Sequence, residues 1–134
     1  MQQLLGGCLC GFIRYRLVDE PTPASAGYCH CRTCQRSTGA PVVAWVTYPR
    51  TSLVILEGTP KLFQSSSKAE RSFCEHCGTQ LFFSYLQGSD TIDISLASLD
   101  DPAAIKPSYH IWTSQQVPWL KIEDDLPRST EEAL

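Results

Sequence analysis

Apolar and polar residues alternate along several short stretches of the chain, and helical signals are few. Phe12–Val18 alternates in its central part and predicts a strand with one exposed face. Pro21 and Pro23, with Ala-Ser-Ala-Gly at 24–27, predict the loop that ends it. β-rich runs follow at Val42–Tyr48, Ser52–Glu57 and Lys61–Gln64, separated by Pro49-Arg50 and by Gly58-Thr59-Pro60, and the last two runs read as a hairpin. Ser65-Ser66-Ser67 reads as a polar loop. Gln80–Leu86 and Thr91–Leu96 predict a strand pair around Gln87–Asp90, with Ile92, Ile94 and Leu96 on one face. Arg32–Ser37 predicts one helical turn or two ending at Gly39, and Asp101 with Pro102 has the form of a capped helix start. Glu123–Leu134 carries five acidic residues and few apolar ones, so it is expected to be an extended or partly disordered tail behind a domain spanning 4–122. Short strands with turns at intervals of about eight to twelve residues, without repeat or linker, indicate one small all-β domain, sandwich-like or barrel-like.

Composition narrows the setting. The chain has 134 residues, with 43% hydrophobic and 19% charged, an ordinary globular balance and not a disordered one. Its longest apolar runs, Val42–Val46 and Leu53–Leu56, are far too short to cross a bilayer, and its first residues have no basic or apolar signal segment. The expectation is a cytoplasmic protein without a membrane partner. The formal charge of −3 becomes more negative still if seven thiolates bind two divalent ions, and no basic stripe offsets it. Nucleic acid is therefore not an expected partner.

In a reducing compartment seven clustered cysteines argue for metal ligation over disulfides, and the odd count agrees. Cys74-Glu75-His76-Cys77-Gly78 has zinc-knuckle spacing: two intervening residues let both sulfurs reach one tetrahedral ion, and Gly78 follows where such turns need no Cβ. Cys8 and Cys10, placed on one face of a regular strand, can complete a four-sulfur structural site. Cys29, Cys31 and Cys34 then form a three-sulfur base with an open fourth position, the general form of a catalytic zinc site. An eighth ligand from His30, His76 or His110, or a crossed pairing of Cys8 and Cys10 with Cys31 and Cys34, is also compatible with the spacing. The rings of His30 and His76, inside ligand turns, are expected to point outward.

At these residues the chain resembles the family of glutathione-dependent formaldehyde-activating enzymes, which also contains centromere protein V. The resemblance runs from about Leu4 to Arg128. It rests on Gly6–Gly11 with Ile13-Arg14-Tyr15, on Cys29–Ala40, on Arg71–Leu81, and on His110-Ile111-Trp112 with Pro118-Trp119-Leu120. It implies a mainly β fold, a small zinc-containing β-tent of antiparallel sheets with short helical turns. It also implies a structural zinc on Cys8, Cys10, Cys74 and Cys77 and a catalytic zinc on Cys29, Cys31 and Cys34, making two Zn²⁺ per chain. The implied activity is carbon–sulfur lyase chemistry: an adduct between glutathione, or a similar thiol, and a small aldehyde such as formaldehyde is formed or cleaved, as by an S-hydroxymethylglutathione synthase.

A zinc already held by three thiolates suits a soft fourth ligand, so the expected partners are a small thiol and a small carbonyl compound. Gln35, Arg36 and Arg71 are candidate contacts for the thiol; a self-capping turn for 35–38 and a strand-edge position for Arg71 are the plainer readings. Trp45, Trp112 and Trp119 read as core or rim aromatics, and His110 as a packing histidine or an acid–base group. A zinc-stabilised interaction module without catalysis and a thiol or metal sensor are the competing functions.

Overall fold

In the computed structural model of the chain, which describes residues 3–18 and 25–132, the first alternating stretch becomes a strand only from Arg14 onward. Strand β2 (Arg14–Val18) is the middle of a three-stranded antiparallel sheet, between β1 (Gln3–Gly7) and β5 (Leu53–Glu57). Its Tyr15 and Leu17 point inward with Ile13 just before it, all fully buried, while Arg14 and Arg16 remain half-buried on the other side. Burial of Ile13 and Leu17 stabilises by about 1.5–3 kcal/mol each.

The second sheet has seven strands. In chain order these are β3 (Ser25–Cys29), β4 (Val43–Pro49), β6 (Lys61–Gln64), β7 (Ala69–Phe73), β8 (Gln80–Tyr85), β9 (Thr91–Ser95) and β10 (His110–Ile111). Across the sheet they run β10-β3-β4-β9-β8-β7-β6, antiparallel throughout except that β10 lies parallel to β3. The expected β8–β9 hairpin is present, with Phe82 opposite Ile94.

Alternation gives the large sheet two working faces. Ala26, Val46, Tyr48, Phe82 and Ile94 face the small sheet and share the main core with Ile13, Tyr15 and Leu17. Ile92, Ile94 and Leu96 belong to that core, as their spacing predicts. The opposite face carries a smaller cluster of Cys29, Cys34, Val43 and Trp45, with Phe83 and Trp112 against it. The only α-helix among the described residues, α1 (Arg32–Thr38), covers one end of this face and stops at Gly39, whose φ of 77° closes it.

Several expectations are corrected. The run 53–64 is not a hairpin: β5 pairs with β2 in the small sheet and β6 with β7 in the large one. Gly58 makes this crossover at φ 78°, where a Cβ would lie 2.4 Å from the Phe12 carbonyl oxygen. Ser25–Gly27, expected in a loop, belong to β3; Pro21, Pro23 and Ala24 lie outside the described residues. Arg71 is on an internal strand, not an edge. Residues 123–132 run beside β10, where His110 N–H donates to Pro127 O and Trp112 N–H to Glu131 O. Asp101 does cap a single 3-10 turn, Pro102–Ala104. No helix among the described residues is long and apolar enough to cross a membrane.

Candidate functional site

The cysteines gather into two groups, Cys8, Cys10, Cys74 and Cys77 in one and Cys29, Cys31 and Cys34 in the other, each with its sulfurs all within 4.8 Å of one another. Two loops build the first group. Cys8 and Cys10 lie in the turn between β1 and β2, not on a strand, and Cys74 and Cys77 in the turn between β7 and β8. Each turn ends in a left-handed glycine whose N–H returns to the first cysteine's carbonyl: Gly11 to Cys8 at 3.2 Å and Gly78 to Cys74 at 2.7 Å. That closure directs both sulfurs of each turn inward. Thr79 joins the loops, its Oγ1 accepting from Leu9 N–H at 3.0 Å and lying 3.2 Å from Cys77 Sγ. Hydrogen bonds from Thr79 hold the Cys77 thiol down to about 5.

Donor chemistry and spacing fit a metal at both groups. Four thiolates around a tetrahedral ion at a metal–sulfur distance of about 2.3 Å stand about 3.8 Å apart. Cys8 and Cys10 sulfurs are separated by 3.7 Å and Cys10 and Cys74 sulfurs by 3.8 Å. In the second group the sulfurs of Cys34 and Cys29 are 3.5 Å apart.

The second group stands where β3 runs into α1. Cys29 ends the strand, Cys31 caps the helix by accepting Cys34 N–H at 3.3 Å, and Cys34 sits in the first helical turn. Cys29 and Cys34 are buried and Cys31 is half-buried. Hydrogen bonds from Cys29 and Cys31, then the Arg71 charge, hold the Cys34 thiol down to about 2, while hydrogen bonds with Cys31 and Cys34 push Cys29 up. These sulfurs line a largely enclosed cavity of about 120 Å³, with Trp45, Asp93 and Tyr85 on its walls.

Arg71 separates this cavity from a larger one. Its guanidinium donates to Ser37 Oγ at 3.1 Å and to Cys34 Sγ at 3.6 Å and lies 4.9 Å over the Phe83 ring. Its buried Nε has no partner, and among the described residues it forms no ion pair. On its far side is a cleft of about 460 Å³, lined also by Arg32, Arg36 and Phe63 and by no acidic side chain. Gln35 is turned inward, its amide donating to His30 O and Gln115 O. Ser37 and Thr38 donate to Cys34 O, the self-capping turn.

His30 is buried rather than outward, because its ring joins a polar chain in the interior; His76 is exposed, against Phe12. His30 Nε2 is 2.8 Å from His110 Nδ1, and His110 Nε2 is 3.0 Å from Asp124 Oδ2. His110 holds the Asp124 carboxyl below its usual range, and burial, with the neighbouring His110, lowers His30 to about 4. An ionised Asp124 accepts from His110 Nε2–H, which turns His110 Nδ1 toward His30 Nε2. His110 is thus a hydrogen-bonded packing histidine, and Asp124 ties the C-terminal segment to the cysteine loop. His110→Leu should orphan the buried His30 Nε2 and lower stability by about 1–3 kcal/mol, read by denaturant unfolding. Trp45 is buried and Trp112 half-buried at the cavity rim, whereas Trp119, expected in core or rim, is 72% exposed.

Asp93, Arg32 and Asp124 have no sequence signal of their own. Asp93 reads as the polar member of an alternating strand, Asp124 as one of an acidic run, and Arg32 as the first residue of a helical turn.

A family model described as glutathione-dependent formaldehyde-activating enzyme matches residues 3–115. A Schizosaccharomyces pombe protein named as an uncharacterized lyase is 37% identical over 67% of this chain, and the match spans 64% of that protein's length. A Halomonas elongata protein, named provisionally as a glutathione-dependent formaldehyde-activating enzyme, is 23% identical over 90% of this chain and 81% of its own. The crystal structure of a Rhodobacter sphaeroides protein superimposes with a TM-score of 0.60 at 24% identity, over 77% of this chain and 91% of that one, a likeness of fold.

Proposed function

The chain belongs to the family of glutathione-dependent formaldehyde-activating enzymes, and from that premise we propose that it is a zinc-dependent carbon–sulfur lyase. It joins glutathione, or a similar anionic thiol, to a small aldehyde such as formaldehyde, or splits the adduct. In this reading Cys8, Cys10, Cys74 and Cys77 hold a structural zinc and Cys29, Cys31 and Cys34 a catalytic one. The observation that carries the reading is the unequal surroundings of the two groups. The first is closed by four sulfurs from two loops, whereas the second offers three and borders a cavity that shares Arg71 as a wall with an arginine-lined cleft.

A zinc held by three thiolates supplies positive charge that favours a fourth sulfur in its thiolate form. The chain's own residues do the rest. The 120 Å³ cavity has room for a thiol sulfur and a one-carbon carbonyl, and Trp45, Phe83 and Trp112 give it apolar walls. The 460 Å³ cleft suits the peptide body of the thiol, whose carboxylates Arg32 and Arg36 can engage. Arg71 spans both spaces and offsets the negative charge of Cys34. An oxidation sensor would present its sulfurs to solvent, and Cys29 and Cys34 are buried.

Titration of the zinc-loaded protein with glutathione, followed by zinc X-ray absorption, tests the reading. The mean number of sulfurs around zinc should rise as the site fills. A coordination shell that is unchanged at saturation would sink it.

A further inference from the structure

Two carboxylates line the small cavity without a cationic partner among the described residues: Glu132, exposed and accepting from Tyr85 OH, and Asp93, set deeper in the sheet. Asp93 lies on β9, a central strand of the large sheet, in a cross-strand row with Arg71 of β7, Phe83 of β8 and Thr47 of β4. Its neighbours on that face include Trp45 and Phe83, and it lines the same cavity as Cys29, Cys31 and Cys34. Thr47 Oγ1 donates to Oδ1 at 2.6 Å; among the described residues Oδ2 has no donor and the carboxylate no cationic partner. Burial pushes its carboxyl up, and Cys34 adds to the effect. Such a group costs stability, and Asn would meet the same packing and hydrogen-bonding need without the charge. Its place beside the three sulfurs points to chemistry.

The other polar groups of the cavity are committed elsewhere. Tyr85 OH donates to Glu132 at the exposed mouth, and burial pushes that phenol up. Tyr109 OH pairs with Ser25 Oγ at 2.9 Å, and Arg71 is permanently cationic. His30 and His110 do not line the cavity.

We propose that Asp93 is the acid–base residue of the three-sulfur site, carrying the thiol proton to the carbonyl oxygen. The inference rests on the lyase reading above. As the thiol binds, its S–H proton passes to the Asp93 carboxylate; as the sulfur then bonds to the carbonyl carbon, the C=O π pair moves to oxygen. That oxygen then takes the proton back from the Asp93 carboxyl, leaving a hydroxymethyl thioether and the original carboxylate. Atoms and charge balance with no further reactant, and cleavage runs through the same steps in reverse.

The test compares the zinc-loaded parent with Asp93→Asn and Asp93→Glu. Calorimetric titration with glutathione at about pH 7.5, in two buffers of different ionisation enthalpy, counts the protons released. The parent should release fewer protons than Asp93→Asn, because Asp93 takes up part of the thiol proton when glutathione binds. The kcat of Asp93→Asn should fall at least 100-fold, with KM for glutathione changed less than about threefold and zinc content intact. Asp93→Glu, which keeps the carboxyl, should retain more activity than Asp93→Asn. Equal proton release in parent and Asp93→Asn, or activity preserved in Asp93→Asn, overturns the proposal. An Asp93→Asn that unfolds or loses zinc overturns it too, because Asn keeps the size and the Thr47 hydrogen bond. If even the parent neither binds glutathione nor changes its zinc shell, the lyase reading itself fails.

Discussion

Cys74→Ala should leave a chain that no longer unfolds cooperatively, with a single zinc or none bound. Cys74 is completely buried, and its sulfur joins the β7–β8 turn to Cys10, 64 residues earlier in the chain. Among the described residues the same two loops are also joined by the Phe12–His76 ring contact and by Thr79 Oγ1, which accepts from Leu9 N–H. A four-thiolate zinc site contributes about 10–16 kcal/mol of binding free energy that is also folding free energy. Losing one ligand in four removes about 2.5–4 kcal/mol if the loss is proportional, a large part of the net stability of a small domain. The long loop that the ion closes adds to the loss, since the unfolded chain regains that freedom. Circular dichroism melting with zinc counted per chain reads the outcome. A cooperative transition within a few degrees of the parent would remove Cys74 from the structural site.

Legibility in the sequence follows how local the determining physics is. Chelating turns are short, so CxC, CxCxxC and CxxCG announce themselves, and α1 ends where Gly39 predicts. Lys61–Gln64 is a strand at its predicted limits because Pro60 and the serines bracket it. Which strands pair is not local: β5 and β6 look like hairpin arms, yet each completes a different sheet. Strand β7 gives no apolar signal, since Glu70, Arg71 and Ser72 read as solvent-facing while Arg71 and Ser72 are buried. Asp93 is hidden for the same reason. In Ile92-Asp93-Ile94 the aspartate takes the polar phase of an alternating strand, and only the fold reveals that this phase faces an enclosed cavity. The buried His30–His110 pair and its exposed partner Asp124 join residues 80 and 14 positions apart, beyond any local pattern.

Cys31→Ser should abolish activity, by at least 100-fold, while the domain stays folded. Serine is the informative choice. Its hydroxyl can still accept the Cys34 N–H and keep the cap on α1, whereas alanine would forfeit about 1 kcal/mol of capping energy and confuse the comparison. What it removes is one thiolate from the three-sulfur group, and with it the charge and geometry that position the incoming thiol. Stability should barely move because the three sulfurs join elements already adjacent in sequence and held by other bonds. Cys29 pairs with Val43 in the sheet, His30 N–H donates to Ile111 O at 3.1 Å, Gln35 Nε2 donates to His30 O at 2.7 Å, and Gly39 closes the helix. Closing a six-residue segment that is already ordered recovers little chain entropy. The two cysteine variants therefore separate the roles: Cys74→Ala should lose the fold, and with it everything else, whereas Cys31→Ser should lose one zinc and the reaction alone. Melting midpoints that fall equally in both would mean that the second group is also structural, and that the reaction must be sought elsewhere.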